Sequence, residues 1–276
     1  MKINIKNRPA FSLLELVFVI VILGIVSSIG AELIAKVYEN YIVQRAQHRA
    51  SIKSQIAINQ IANRLRYVIP GTMVRRVGKI GVAETLMESM GSSADSYTVL
   101  QWVATDGESF EAINTSASTG AERRPGWSGF CDLNASTRTN ISTPGSNLAL
   151  TNIIQTNLGR TGSKFAIYFP NDPIAHYGTG AGQTITLDNN ATTIVERYKL
   201  AWTSYALVVE GGDLNLYYNF APTTAAAIGN TKSLLLKNVT NFKFERRGQT
   251  TRIKLCVEED IGNGIRIPSC KEKAVF

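Results

Sequence analysis

The sequence predicts an α+β protein: one long N-terminal helix followed by a head built on an antiparallel β-sheet. Three observations carry this expectation. Between residues 11 and 68 there is no proline, and a solid apolar run gives way to apolar residues at helical spacing. From about residue 95 the chain changes to short β-type runs broken by Gly, Asn, Thr and Pro clusters. With 276 residues, 44% hydrophobic and 18% charged, the composition is that of a folded chain with one core of ordinary size plus an extension.

Lys and Arg outnumber Asp and Glu by 29 to 21, a net +8 that favours acidic surfaces, whether phospholipid, polysaccharide or nucleic acid. Three of these cations, Lys2, Lys6 and Arg8, precede the apolar run, so a chain trimmed of them carries only about +5. Cys131, Cys256 and Cys270 are too few and too scattered for a zinc cluster, which needs paired ligands at short spacing. A disulfide fits them better.

From Phe11 to Ala31 the only charge is Glu15. As a helix this stretch covers about 31 Å, the hydrocarbon thickness of a bilayer. The cations before it place the N-terminus in the cytoplasm and everything beyond about residue 32 in the periplasm or exterior. An ordinary secretory signal has a shorter apolar stretch and an A-x-A-like cleavage site, so the segment is either an uncleaved anchor or something more specialised. Glu15 lies five residues into the apolar block, where a lone carboxylate is costly and usually has a partner. No cation lies within one helical turn of it. A cut before Phe11 would create an α-amino group able to meet Glu15 of a neighbouring copy at the same depth.

The basic leader, a small residue at the cut, the Phe, the Glu at the fifth position after it and about 16 further apolar residues resemble the type IV prepilin signature. The resemblance covers Lys2 to about Ala31. It implies that a prepilin peptidase cuts between Ala10 and Phe11 and methylates the new amine of Phe11. It also implies that Glu15 pairs with that amine of an adjacent subunit during assembly. Two departures are Ala10 where the family most often has Gly, with Pro9 before it, and Glu32 where major pilins often carry a helix-bending proline. The domain expectation is a leader over 1–10, a transmembrane part of the helix over 11–31, its amphipathic half over 32–69 and a β-rich head over 70–276. The implied fold is the pilin fold.

The amphipathic half has apolar residues at Ile34, Val37, Tyr38, Tyr41 and Ile42, then at Ile52, Ile56, Ile58, Ile61, Leu65 and Val68. Pro70-Gly71 ends it. A helix from about Ser12 to Val68 would be about 85 Å long. In the head, Tyr97 to Ala104, Lys164 to Phe169, Gln183 to Leu187, Tyr205 to Val209, Leu214 to Phe220, Asn241 to Arg246 and Arg252 to Val257 are the strand candidates. Gly211-Gly212 reads as a hairpin turn. Gly107 to Thr161, rich in Ser, Thr, Asn and Gly, reads as a surface insertion.

Alternation along the last candidate strand turns Cys256 away from the packed face, within reach of Cys270. A Cys256–Cys270 disulfide across the loop Glu258 to Ser269 would pin the tail to the sheet and resembles the C-terminal disulfide loop of many pilins. Cys131 is left odd, as a buried thiol or a competitor for either partner.

Other motifs carry less. Glu210-Gly211-Gly212-Asp213 resembles the cyclase signature but lacks the aromatic that should follow it. Gly178, Gly180 and Gly182 follow no nucleotide-fingerprint pattern and read as a flexible loop. His48 and His176 have no nucleophile or metal-ligand context, so neither an enzyme nor a cofactor is expected. Glu258-Glu259-Asp260 beside Gly262-Asn263 offers oxygen ligands, and related pseudopilins bind calcium, although a solvated acidic turn is the simpler account. The pairs Arg75-Arg76, Arg123-Arg124 and Arg246-Arg247 would suit a DNA- or glycan-binding patch or scattered solubilising charge.

The expected function is therefore structural: a minor, tip-proximal or initiating subunit of a type IV pilus or a type II secretion pseudopilus, resembling J-type or W-type components. Its partners would be other pilin or pseudopilin subunits, the prepilin peptidase, an inner-membrane assembly platform and inner-membrane lipid. A basic head that captures DNA or glycan is the alternative.

Overall fold

The computed structural model describes residues 12–85, 96–112, 123–159, 164–262 and 264–276. In chain order these form α1 (Leu13–Leu65), β1 (Val74–Arg76), β2 (Glu84–Thr85), β3 (Val99–Val103), α2 (Glu108–Glu111), β4 (Asn140–Ser142) and α3 (Ala149–Asn157). There follow β5 (Phe165–Tyr168), β6 (His176–Ala181), β7 (Thr184–Leu187), β8 (Lys199–Ala201), β9 (Ser204–Glu210) and β10 (Asp213–Phe220). The chain closes with β11 (Lys232–Leu236), β12 (Val239–Arg247), β13 (Thr250–Asp260) and β14 (Arg266–Val275). A long apolar helix followed by antiparallel sheets is an α+β arrangement consistent with a pilin fold. The chain divides into two compact units, one up to Arg49 together with Glu259–Ile267, the other Ala50–Glu258 with Pro268–Phe276.

In the first unit α1 begins at Leu13 with Ser12 as its cap. Ser12 Oγ accepts the Glu15 N–H at 3.2 Å, satisfying one of the free donors that open every helix. Glu32 and Lys36, one turn apart and exposed, form an ion pair at 2.7 Å.

In the second unit the remainder of α1 packs one face into a core. The buried positions are Ala50, Ser54, Ala57, Ile58, Ile61, Ala62 and Leu65, while Ile52 and Ile56 stay about half exposed. Small residues therefore set much of the contact face, and two of the large apolar residues expected there point elsewhere. The helix ends at Leu65 rather than Val68 because the next residues are drawn into sheet contacts. Val68 bridges Ala104, and Ile69 N–H donates to Val103 C=O at 2.9 Å.

A six-stranded antiparallel sheet, in the order β11-β10-β9-β3-β1-β2, forms the main platform. Its central strand β3 is buried throughout: Leu100 and Trp102 face the α1 core, and Val99 packs with Ala206, Val208 and Tyr217 on the other side. The β9–β10 hairpin turns at Gly211 and Gly212, with φ of 58° and 83°. Two consecutive positive φ values are what a tight hairpin turn requires and what glycine permits. Phe242, Phe244, Ile253, Leu255 and Val257 of the three-stranded sheet β12-β13-β14 join the same core.

The stretch from 107 to 161 departs from the surface insertion expected of it. Its described residues supply α2, β4 and α3, and Trp127, Cys131, Ile141 and Leu148 are buried in a second core. That core lies on the five-stranded antiparallel sheet β4-β7-β6-β5-β8. The polar residues between these anchors serve loops: Ser146 Oγ accepts the Ser128 N–H at 2.9 Å, and Thr137 Oγ1 accepts the Asn140 N–H at 3.0 Å.

The Gly178–Gly182 stretch, expected as a flexible loop, is strand and turn. A Cβ at Gly178 would stand 2.5 Å from the Thr186 carbonyl oxygen, and one at Gly180 would stand 2.9 Å from Leu148 Cδ1. The glycines are there because neighbouring backbone and the start of α3 come too close for a side chain.

Candidate assembly surface

Along the first unit most of the large apolar side chains of α1 are exposed among the described residues. From Leu13 to Ile29 each is half or more exposed, including Leu13 at 84% and Phe18 at 61%. An all-round apolar helix is stable only when lipid or other helices surround it. This helix is long and apolar enough to cross a membrane by length and composition.

Glu15 is the one acidic residue in the first turn. A carboxylate there sits beside unpaired N–H groups and the positive end of the helix dipole, which favour the charge by about 0.3–1 kcal/mol near a surface. The spacing Ser12-x-x-Glu15 is that of a capping box, and Ser12 makes its half of the exchange. Glu15 thus has a local electrostatic reason to stand where it does, beyond any partner from another chain. Ala10 and Phe11, the two residues of the expected cut, lie outside the described residues.

At the other end of the chain Cys256 and Cys270 are bonded, with Cα atoms 4.0 Å apart. Leu255 and Val257 belong to the core and Cys256 lies off it. The loop expected over Glu258 to Ser269 is shorter, since β13 runs to Asp260 and the edge strand β14 starts at Arg266, so the bond is a cross-strand staple between β13 and β14. Pro268 is compatible with that strand because an edge strand can dispense with a donor. Arg252 binds Glu245 at 3.0 Å and also Glu272 of β14, tying all three strands together by charge. Cys131 is a free thiol, 1% exposed, with Sγ 3.4 Å from Ser136 Oγ, and burial pushes its pKa up.

Most of the remaining candidates are engaged within the fold among the described residues. Arg75 and Arg76 are buried rather than offered to a polyanion. Arg75 lies 3.9 Å over the Tyr97 ring and pairs with Glu84 at 3.2 Å. Arg76 donates to Gln101 Oε1 at 2.8 Å and to the carbonyls of Gly81, Ala225 and Ala226 at 2.9, 2.6 and 2.9 Å. Arg246 folds back onto the Gly248 carbonyl. His48 is exposed on α1, and His176 is buried against Phe169 with Nε2 3.2 Å from Asp172 Oδ2. Glu258, Glu259 and Asp260 end β13, Asp260 Oδ1 accepts the Gly262 N–H at 2.8 Å, and Asn263 lies outside the described residues. Among the described residues no three His, Cys, Asp or Glu side chains converge as metal ligands.

Residues 5–31 match the family model of the prokaryotic N-terminal methylation motif. This motif marks a type IV prepilin-like protein, and with the apolar helix it suggests membrane anchoring. It supports a pilin or pseudopilin structural role, points away from an enzyme, and implies assembly with other pilin subunits and processing by the peptidase. No curated protein and no solved structure matches the chain.

Proposed function

We propose that this chain is a minor, tip-proximal or initiating subunit of a bacterial type IV pilus or type II secretion pseudopilus. Peptidase cleavage between Ala10 and Phe11 releases residues 1–10, and the amine of Phe11 is methylated. Residues 11–31 then anchor the subunit in the inner membrane with residues 70–276 as a periplasmic head, until an assembly platform moves it into the filament. The observation that carries this reading is the bare apolar length of α1, with its single carboxylate at Glu15 in the first turn. In a filament the apolar wall exchanges lipid for neighbouring helices, and Glu15 pairs with the Phe11 amine of the adjacent subunit. The five-stranded sheet and the second core on it add head surface that a filament end can use.

The test is N-terminal mass spectrometry of the membrane-extracted protein. A mature chain beginning at methylated Phe11 is expected, and any other terminus overturns the processing step. Glu15→Ala is expected to leave membrane insertion intact and to abolish incorporation into filaments. Normal incorporation of that variant would remove the role given to Glu15. Burial of Arg75 and Arg76 argues against the alternative of a basic patch for DNA.

A further inference from the structure

A cleft of about 720 Å³ opens in the second unit between the last turns of α1, the loop after β3, α2 and the edge strand β11. Its size falls within the range of about 300–1,000 Å³ in which small-ligand sites are found. One wall is a run of planar polar side chains on α1, Gln60, Asn63 and Arg64, spaced three and four residues apart and therefore on one helical face. Facing them are Glu108 and Glu111, the two carboxylates of α2. None of the amides and carboxylates of Gln60, Asn63, Glu108 and Glu111 hydrogen-bonds within the chain among the described residues. Thr105, also in the wall, has a buried Oγ1 without a partner. The four amides and carboxylates are exposed, and together with the buried Thr105 hydroxyl they leave their hydrogen-bonding capacity to solvent or to a ligand.

The aromatic groups are equally specific. Tyr205 forms part of the lining, stacked on buried Trp102 with ring centroids 6.0 Å apart. The Arg64 guanidinium lies 5.6 Å over the Tyr205 ring. Tyr67, at 52% exposed, offers an open ring at the mouth.

This combination selects a ligand class. Two carboxylates against one guanidinium repel a polyanion. A cationic ligand would meet the Arg64 guanidinium, which lies in the wall and holds the Tyr205 face. A wholly apolar ligand would strand five polar side chains away from water. What fits is a neutral molecule with an apolar face for a tyrosine ring and hydroxyl edges that both donate and accept, because amides and carboxylates provide both roles. We infer that this cleft binds a neutral saccharide unit, its hydroxyls held by Asn63, Gln60, Glu108 and Glu111 and its C–H face on Tyr67. The inference goes beyond the filament role and does not depend on it.

The experiment is titration of the full chain, solubilised in a sugar-free zwitterionic detergent, with cellobiose, maltose, chitobiose and lactose, read by isothermal calorimetry and saturation-transfer NMR. At least one disaccharide is expected to bind saturably, with Asn63→Ala and Glu108→Gln each weakening it about tenfold, the usual worth of one hydrogen bond to a charged or well-placed group. The Glu108 carboxylate is exposed and makes no hydrogen bond among the described residues, so Glu108→Gln keeps the test valid if Asn63→Ala is poorly folded. Lys164→Ala, just before β5 and outside the cleft lining, is expected to leave binding unchanged. Absence of binding by all four sugars, or binding that Glu108→Gln does not alter, overturns the inference. So does saturable binding in the cleft of a short extended peptide in place of the sugars.

Discussion

Replacing Arg76 by Met gives the sharpest test of how the head is held together. The side chain is 7% exposed, and its guanidinium makes four hydrogen bonds, spanning β1, β3 and the segment after β10. Methionine keeps the apolar stem and removes every donor. The Ala226 carbonyl retains the Gln101 Nε2 donor at 3.0 Å, but Gln101 Oε1 and the carbonyls of Gly81 and Ala225 lose their bonds to Arg76. A buried acceptor left unpaired costs roughly 1–3 kcal/mol. Two of these three sites are only partly buried, so water recovers part of the loss, and the expected destabilisation is about 3–5 kcal/mol. With an m-value of about 3 kcal/mol/M, the urea midpoint of the detergent-solubilised chain falls by about 1–1.7 M at unchanged m. Arg76→Lys recovers part of this, since an ammonium can reach some of the same carbonyls. A midpoint shift below about 0.3 M for Arg76→Met would refute the reasoning and return Arg76 to the pool of surface cations.

Other consequences can be checked in the same preparation. Ile61→Ala, at a fully buried position on the packed face of α1, is expected to cost about 3 kcal/mol, against under about 0.5 for Ile56→Ala at a 53% exposed position; equal midpoint shifts would contradict the assigned face. Cys256→Ser with Cys270→Ser is expected to lose about 3 kcal/mol, and without reductant the parent chain should accept one alkyl group, on Cys131, only after denaturation, as intact-mass measurement would show. Gly180→Ala is expected to destabilise by about 1–3 kcal/mol, with partial rescue by Leu148→Ala in a double-mutant cycle; additive losses would deny the contact. Asp106 accepts the Ser109 N–H and the Trp127 Nε1–H, both at 3.2 Å, and burial raises its pKa. Its contribution to stability is therefore full at pH below the ordinary Asp value and is lost as pH rises through the raised one. The stability of Asp106→Asn relative to the parent should accordingly improve between pH 3.5 and 7, and a flat difference in denaturant midpoints would contradict this.

Much of the architecture was legible because it is written in local pattern. The proline-free apolar run, the break at Pro70 and the alternation in β10, β12 and β13 each reflect a period that one residue's neighbours impose on it. The Gly211-Gly212 turn was legible for the same reason. The pairs that failed were read by composition alone. The Ser- and Thr-rich stretch looked like surface because its four core anchors are spaced with no period, and the Gly178–Gly182 strand looked like a loop because glycine's steric role depends on Leu148 and Thr186. β14 escaped notice because an edge strand with charged residues and a proline has little hydrophobic signal. The cleft beside Tyr205 had no signal at all, since α1, α2 and β11 meet there across 175 residues of sequence from Gln60 to Leu235.

The sequence by itself determined the anchor. Glu15 after Phe11, in a long apolar block behind three cations, needs no tertiary context, because the bilayer and the helix repeat are external rulers that act on contiguous residues. Tertiary structure alone decided the rest: which face of α1 is buried, that Arg75 and Arg76 serve the interior, and that exposed amides and carboxylates collect around one cleft. Those outcomes depend on distances between residues far apart in the chain. A linear pattern carries no information about such distances until close packing fixes them.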